Sequence, residues 1–368
     1  MSVSLLFEPI TLRDLTLANR AWMSPMCQYS ADPTGPRMGA PSEWHHLHLA
    51  TRAIGGAGLI VVEATAVSPQ GRTSPADLGI WNDTQANALA DLVRDIERFG
   101  SVAGIQLGHA GRKGSSTVPW QGKHSISAED PLGWQTLAPS ALPFGHFAVP
   151  RAATKDDIAT VIDDFRTAAR RAHRAGFKVI ELHAAHGYLL HQFLSPDSNT
   201  RTDEYGGHFD NRIRLLLEIV DAVRETWPAT LPLFVRLSAT DWTSEEKGID
   251  STSWTPEQSV LLAHQLRERG VDLIDVSSGG NSPKARIPVG PGYQVPFACR
   301  IQQEVGIPTA AVGMITEPRQ AEQILASGDA SAVFIAREML RDPYWPRRAA
   351  RALGAEIYPV PSPYQRAF

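Results

Sequence analysis

Eight short apolar, β-rich runs recur along the chain: AWMSPM at 21–26, LIVVEATAV at 59–67, VAGIQL at 102–107, KVIELH at 178–183, LFVRLSA at 233–239, LIDVSS at 273–278, TAAVGMI at 309–315 and AVFIA at 332–336. Most lead through a polar or Gly/Pro loop into a segment of helical spacing. One is 156–176, where Ile158, Ile162, Phe165 and Ala169 fall on one face, and another is 211–227. Strands that are apolar on both faces and alternate with amphipathic helices belong in a parallel sheet covered by those helices. Eight such units predict a single (β/α)8 TIM barrel spanning 1–368, in preference to an open doubly wound sheet. No G-x-G-x-x-G turn follows the first strand, which further disfavours the open alternative.

Three segments fall outside the repeat. Residues 1–20 contain LFEPITLRDLTLANR, which reads as a hairpin capping the lower end of the barrel. Loops 108–153 and 278–296 follow the third and sixth strands, and in a barrel such loops form the rim of the site. The tail, 355–368, holds Pro359, Pro361 and Pro363, so an ordinary helix is excluded and the segment is either disordered or docked against another surface.

Charge and cysteine content narrow the function. With 35 Lys and Arg against 39 Asp and Glu, the net charge of -4 offers no basic field for nucleic acid and points to a small or weakly anionic ligand. Two cysteines, Cys27 and Cys299, are too few for a disulfide framework, a four-cysteine zinc site or an iron–sulfur cluster. A reducing, cytoplasmic setting fits, and neither an export signal nor an 18-residue apolar run is present in the sequence.

Residues at the C-terminal ends of barrel strands converge on one mouth. The polar ones are Cys27 and Tyr29 after strand one, Gln106 and His109 after three, His183, His186 and Tyr188 after four, and Arg236 in five. The stretch ELHAAHGYLLHQFLSP (181–196) can be read as a metal site with Glu181 or His109 as third ligand, an acid/base pair, an anchor for a substrate oxygen, or packed polar residues. Backbone N–H groups after strands seven and eight, around Gly313 and Arg337, form the usual phosphate site of such barrels.

Several motifs then match one family in order and spacing: SPMCQYS (24–30), WHHLHL (44–49), VVEATAVSPQGR (61–72), GIQLGHAGRKGSS (104–116), IELHAAHGYLLHQFLSPDSNTRTDEYGG (180–207), FDNRIRLLLE (209–218), VRLSATDW (235–242), GPGYQVPFA (290–298) and VGMITEP (312–318). Over essentially its whole length the chain resembles the old yellow enzyme family of FMN-dependent ene-reductases. It is most similar to the class III, or thermophilic-like, branch that includes bacterial xenobiotic reductases and NADPH dehydrogenases.

The resemblance implies roles for individual residues. Ser24, Pro25, Met26, Cys27 and Ala64 would line FMN, with Cys27 near its N5 edge, Gln106 on the pyrimidine edge and Arg236 beside N1 and O2. Gly313, Ala336 and Arg337 would hold the phosphate, although Ala336 stands where the family usually has Gly, a change that preserves a backbone contact if the local φ is negative. His183 and His186 would donate to a substrate oxygen, His183 lying against the cofactor as well. Tyr188 would protonate Cα, and Tyr29 would cap the substrate. NADPH or NADH would supply hydride for reduction of α,β-unsaturated ketones, aldehydes, imides or nitroalkenes. Arg366 would reach a neighbouring subunit's site in a homodimer or a dimer-of-dimers tetramer. The resemblance implies no metal, no nucleic acid and no membrane. A 2,4-dienoyl-CoA reductase is excluded by the missing cluster cysteines, while a metal-dependent barrel hydrolase and a non-catalytic flavin-binding protein are the alternatives.

Overall fold

The computed structural model describes residues 4–243, 251–357 and 359–367, so the first three residues of the hairpin segment and Tyr358 and Phe368 of the tail lie outside it. An antiparallel hairpin comes first, β1 (Ile10–Leu12) and β2 (Leu15–Leu17). The eight apolar runs follow as β3 (Ala21–Met23), β4 (Leu59–Ala66), β5 (Val102–Gly108), β8 (Val179–Ala184), β9 (Leu233–Ser238), β10 (Leu273–Ser277), β11 (Thr309–Ala311) and β12 (Ala332–Ile335), with β6 (Leu137–Ala138) and β7 (Arg151–Ala152) forming a separate two-stranded pair. They pair in parallel in chain order, and β12 closes on β3 through Val333–Ala21, Phe334–Trp22 and Ile335–Met23. The chain is therefore a closed (β/α)8 barrel.

Helices α1 (Glu43–Ile54), α2 (Asp83–Glu97), α3 (Lys155–Ala175), α4 (Leu189–Leu194), α5 (Phe209–Arg224), α6 (Pro256–Glu268), α7 (Val295–Val305), α8 (Pro318–Ala326), α9 (Arg337–Arg341) and α10 (Trp345–Leu353) surround it. In α3, Thr154 caps the start by accepting from the Asp157 amide, and Gly176 at φ 100° ends it. Its buried stripe runs through Ile158, Val161, Phe165, Ala168, Ala169 and Ala172. Ile162, assigned to this stripe from spacing, is only half-buried and packs at the edge of the core. Among the described residues no helix is long and apolar enough to cross a membrane.

The barrel interior has two unlike halves. Its lower part is apolar: Trp22 stacks on Phe234 at 5.9 Å and meets Phe334 edge-on at 5.4 Å, with Leu59, Val61, Val179 and Leu273 around them. Leu12 and Leu17 of the hairpin join this cluster from below. A buried aromatic or leucine in such a layer contributes roughly 2–3 kcal/mol, so the lower half is the rigid support. The upper part is polar, holding Gln106, Glu181, His183, Arg236 and Asp275, all buried.

The tail docks against the end opposite the mouth. Ile357 sits against Gly56 and Pro359 against Gly100, glycines that precede β4 and β5, and Arg347 of α10 donates to the carbonyls of Ile357 and Pro359.

Candidate active site at the barrel mouth

His183 is the penultimate residue of β8, His186 lies in the turn that follows, and Tyr188 caps α4. This turn is tightly folded. His186 adopts φ 59° and Gly187 φ 71°, where a Cβ on Gly187 would stand 2.3 Å from the Gly280 carbonyl oxygen, so only glycine fits. A left-handed non-glycine residue such as His186 costs about 1 kcal/mol or more, and surrounding bonds offset it. The His186 amide donates to Ser238 Oγ at 2.9 Å, and Lys113 Nζ donates to the carbonyls of His186 (2.8 Å) and Gly280 (2.6 Å). From below, His191 Nδ1 accepts from the Gly187 amide at 2.9 Å, and its Nε2 lies 3.0 Å from Asp241 Oδ1.

The three side chains of this turn meet at right angles. The His183 ring stands 5.1 Å from His186 and 4.8 Å from Tyr188, both perpendicular. Burial holds both imidazoles well below their ordinary value, helped at His183 by the adjacent His186 and then Arg236 and at His186 by Arg236 and Lys113, so each is neutral and carries one N–H. For His183 the choice is fixed: Nδ1 accepts from the Ala185 amide (3.3 Å), leaving the proton on Nε2, which has no partner among the described residues. His186 Nε2 bonds Ser277 Oγ at 2.7 Å, so Ser277 governs which of its nitrogens keeps the proton. The Tyr188 hydroxyl is bonded to the Thr73 side chain, and burial pushes its pKa above the ordinary phenol value, keeping it protonated.

The metal reading fails on these contacts. Glu181, its proposed third ligand, is turned down to Gln106 and Arg236, and His109 Nδ1 accepts from the Gly111 amide. Among the described residues no group of three His, Cys, Asp or Glu side chains could hold a metal ion.

Beneath the mouth, Gln106 Nε2 donates to Glu181 Oε1 at 2.7 Å, while Arg236 donates through Nε to Asp275 Oδ2 (2.6 Å) and through Nη2 to Ser24 Oγ (2.9 Å). On one flank, Asp77 accepts from the Thr73 amide (2.7 Å) and Ser74 Oγ (2.6 Å), and burial pushes it up to about 6. Burial, followed by the charges of Asp77 and Glu63, pushes the Cys27 thiol well above its usual range, so it is a thiol at neutral pH. Tyr29 adopts φ 51°, packs edge-on against Trp120 at 5.8 Å, and is likewise held protonated by burial.

A cavity of about 590 Å³ opens across the mouth, lined by Ser24, Pro25, Met26, His186, Arg236, Gly313, Ala336 and Arg337 among others. Ala64, His183 and Tyr188 line a small adjoining void of about 10 Å³, together with Thr73, Asp77 and His109. Gly313 has φ 122°, and a Cβ there would lie 2.8 Å from Gln294 Nε2. Ala336 has φ -99°, the negative value its departure from Gly requires. Arg366 does not reach this mouth within its own chain: it lines a separate cavity of about 910 Å³ between α10 and the tail.

Comparison with known proteins gives this mouth a family. The model describing the NADH:flavin oxidoreductase / NADH oxidase family matches residues 5–356. An NADPH dehydrogenase of Geobacillus thermodenitrificans is 50% identical over 364 residues, covering 99% of this chain and 98% of its own. Among solved structures, morphinone reductase in complex with tetrahydroNAD aligns with a TM-score of 0.76 at 29% identity, over 97% of this chain and 93% of that one. The old yellow enzyme homologue from Zymomonas mobilis aligns with a TM-score of 0.76 at 28% identity, over 96% and 95%. This chain belongs to the NADH:flavin oxidoreductase, or old yellow enzyme, family. It is an oxidoreductase whose cofactors are FMN and NAD(P)H.

The residues present fit FMN. A 590 Å³ cavity is within the range of cofactor sites. This flavin oxidoreductase places a buried guanidinium, Arg236, on the cavity floor, and at the rim an exposed Arg337 that has no ion-pair partner among the described residues. Such a pair suits a ligand with an anionic phosphate at one end and a polar ring system at the other. Sequence reasoning missed Lys113, Thr73, Asp77, Ser238, Ser277 and Asp275. The last three carry a readable signal, since Ser238 alternates with Arg236 on β9 and Asp275 with Ser277 on β10, each along one face of a strand that is otherwise apolar.

Proposed function

We propose that this protein is an ene-reductase of the class III type, reducing the activated C=C bond of α,β-unsaturated ketones, aldehydes, imides or nitroalkenes at the expense of NADPH or NADH in a ping-pong cycle. FMN, when bound, would supply the hydride chemistry that links the nicotinamide to the substrate's Cβ. Ser24, Pro25, Met26, Cys27, Ala64, Gln106, His183 and Arg236 would hold its ring, and Gly313, Ala336 and Arg337 its phosphate. His183 Nε2–H binds the carbonyl or nitro oxygen, drawing electron density away from Cβ, and His186 adds its own N–H when Ser277 Oγ donates to its Nε2 and leaves the proton on Nδ1. Tyr188, protonated and 4.8 Å from the His183 ring, gives its proton to Cα. Tyr29 closes over the substrate, and Cys27, as a neutral thiol, donates toward the cofactor rather than attacking it.

The observation that carries this reading is the meeting of His183, His186 and Tyr188 at a barrel mouth, with the His183 ring 5.1 Å from His186 and 4.8 Å from Tyr188 and burial favouring neutral imidazoles and a protonated phenol. A neutral donor can hold an oxygen without taking up its charge beforehand, which is what stabilisation of a developing enolate needs. We also propose that the chain acts as a homodimer or dimer-of-dimers tetramer in a reducing, cytoplasmic compartment, with Arg366 from a neighbouring copy completing the rim. Anaerobic incubation with NADPH and 2-cyclohexenone tests the activity. Cyclohexanone formed in step with NADPH consumption supports it, and NADPH oxidation that no activated alkene accelerates rejects it.

A further inference from the structure

Glu181 on β8 and Asp275 on β10 are fully buried on either side of Arg236. Asp275 Oδ2 takes the Arg236 Nε bond at 2.6 Å and is also in contact with Nη2. Glu181 Oε1 takes the Gln106 bond at 2.7 Å and stands 3.5 Å from Arg236 Nε. The other oxygen of each carboxyl, Glu181 Oε2 and Asp275 Oδ1, is buried and receives no donor. Yet the two carboxyl groups are in hydrogen-bond contact with each other. Ionised carboxylates only accept, so two of them cannot bond. Two negative charges facing one guanidinium inside a dry barrel would also leave one charge unpaired.

A single proton removes both difficulties. We propose that Glu181 is a carboxylic acid that donates its proton to Asp275, and that Glu181, Asp275 and Arg236 form one positioning unit of zero net charge under the cofactor cavity. Burial raises both carboxyls, and Asp275 is the better anion because it holds Arg236 directly through Nε and Nη2, whereas Glu181 stands 3.5 Å from Nε. Burial above all, and then the Asp275 charge, pushes Glu181 well above the usual carboxylate range, against the pull of Arg236. The other titratable groups facing the unit, His183 on β8 and His186 in the turn after it, are both neutral.

The consequence concerns negative charge entering the cavity. With Glu181 protonated, an anion above Arg236 meets a guanidinium balanced by one carboxylate. With Glu181 ionised, the unit would carry a net negative charge and oppose it. This second step rests on Arg236 facing the cofactor, whereas the shared proton does not.

Infrared spectroscopy of the holoprotein at pH 8 tests the proton. At that pH Asp77, pushed up to about 6, and Asp164, also up to about 6, are ionised. The wild type minus Glu181→Gln difference spectrum should contain a protonated-carboxyl C=O band that moves in D2O. In Asp275→Asn the same band should vanish although Glu181 is still present, because Arg236 then takes Glu181 as its carboxylate. Absence of the band from both difference spectra overturns the proposal, and each variant gives an answer if the other does not fold. For the charge, Glu181→Gln should change the flavin reduction equilibrium less than threefold, and Glu181→Gln with Asp275→Asn should favour reduction at least tenfold. A single variant that already favours reduction tenfold, with the double shifting further still, would show Glu181 ionised in the wild type and overturn the proposal. An acid band without any shift in the double variant would retain the proton and remove Arg236 from the cofactor.

Discussion

Lys113 is expected to make the stability of this protein depend on alkaline pH in a way that Lys113→Met abolishes. Its ammonium is buried between the carbonyls of His186 and Gly280, and its Nζ lies 4.2 Å over the Phe144 ring and 5.5 Å over the Tyr188 ring. Burial, followed by the charges of Lys123 and Arg112, lowers it from 10.5 to about 7. The folded chain therefore releases this proton near pH 7, while the unfolded chain keeps it to about 10.4. Across that window the unfolded state binds more protons, so the Lys113 contribution raises stability as pH rises and is least favourable below 7. At about 1.4 kcal/mol per pH unit, the full window amounts to about 5 kcal/mol. The amine still donates to both carbonyls after losing its charge, so the turn at His186 stays tied. Urea unfolding at pH 6, 7, 8, 9 and 10 measures the effect as the difference between wild type and Lys113→Met, which cancels the titration of other groups. A difference that grows in favour of the wild type from pH 7 upward is expected. Parallel curves would show that Lys113 titrates as an ordinary lysine, and the argument from burial would be wrong.

Three further outcomes are expected. Tyr188→Phe should slow flavin reoxidation by 2-cyclohexenone by about 10²- to 10⁴-fold, the usual worth of a positioned general acid, while NADPH reduces the flavin within a few-fold of wild type; stopped-flow absorbance separates the two half-reactions, and equal slowing of both would remove Tyr188 as proton donor. His109, lowered to about 4 by burial, should lose about 3 kcal/mol of stability as pH falls from 6.5 to 4, because the unfolded chain takes up the proton first; urea midpoints for His109→Gln should flatten this acid limb, and an unchanged limb would contradict the assignment. Cys27→Ala should shift the flavin midpoint potential while FMN stays bound, and the wild-type thiol should react with iodoacetamide at pH 7 more than tenfold slower than an exposed model thiol; rapid alkylation, or loss of FMN on substitution, would count against a neutral thiol beside the cofactor.

The barrel was legible because each strand is buried on both faces and so announces itself as an unbroken apolar run, from LIVVEATAV to AVFIA. His183, His186, Tyr188 and Arg236 were legible because a barrel brings every strand end to one mouth, so position along the chain converts into position in space. The same rule cannot reach Lys113, Thr73 or Asp77. They sit in loops whose paths depend on contacts far away in sequence, such as Lys113 with Gly280, and no local periodicity records such a contact. Glu181 was visible as a neighbour of His183 on one strand face, yet its partner could not be chosen from sequence. Gln106 lies opposite it on β5, whereas Asp275 is two strands away on β10, so the alternative of a metal ligand stood until the side-chain directions were known. The pair β6 and β7 went unseen because two-residue strands held by the Arg201 bonds to Pro139 and Ala153 have no pattern of their own.

The most direct test of the account is the visible spectrum of the purified protein under anaerobic conditions, recorded before NADPH, after NADPH and after a following addition of 2-cyclohexenone. The account predicts a flavin band that bleaches with NADPH and returns with the enone, together with one cyclohexanone per flavin reoxidised. A flavin band that bleaches but does not return with any activated alkene would contradict it.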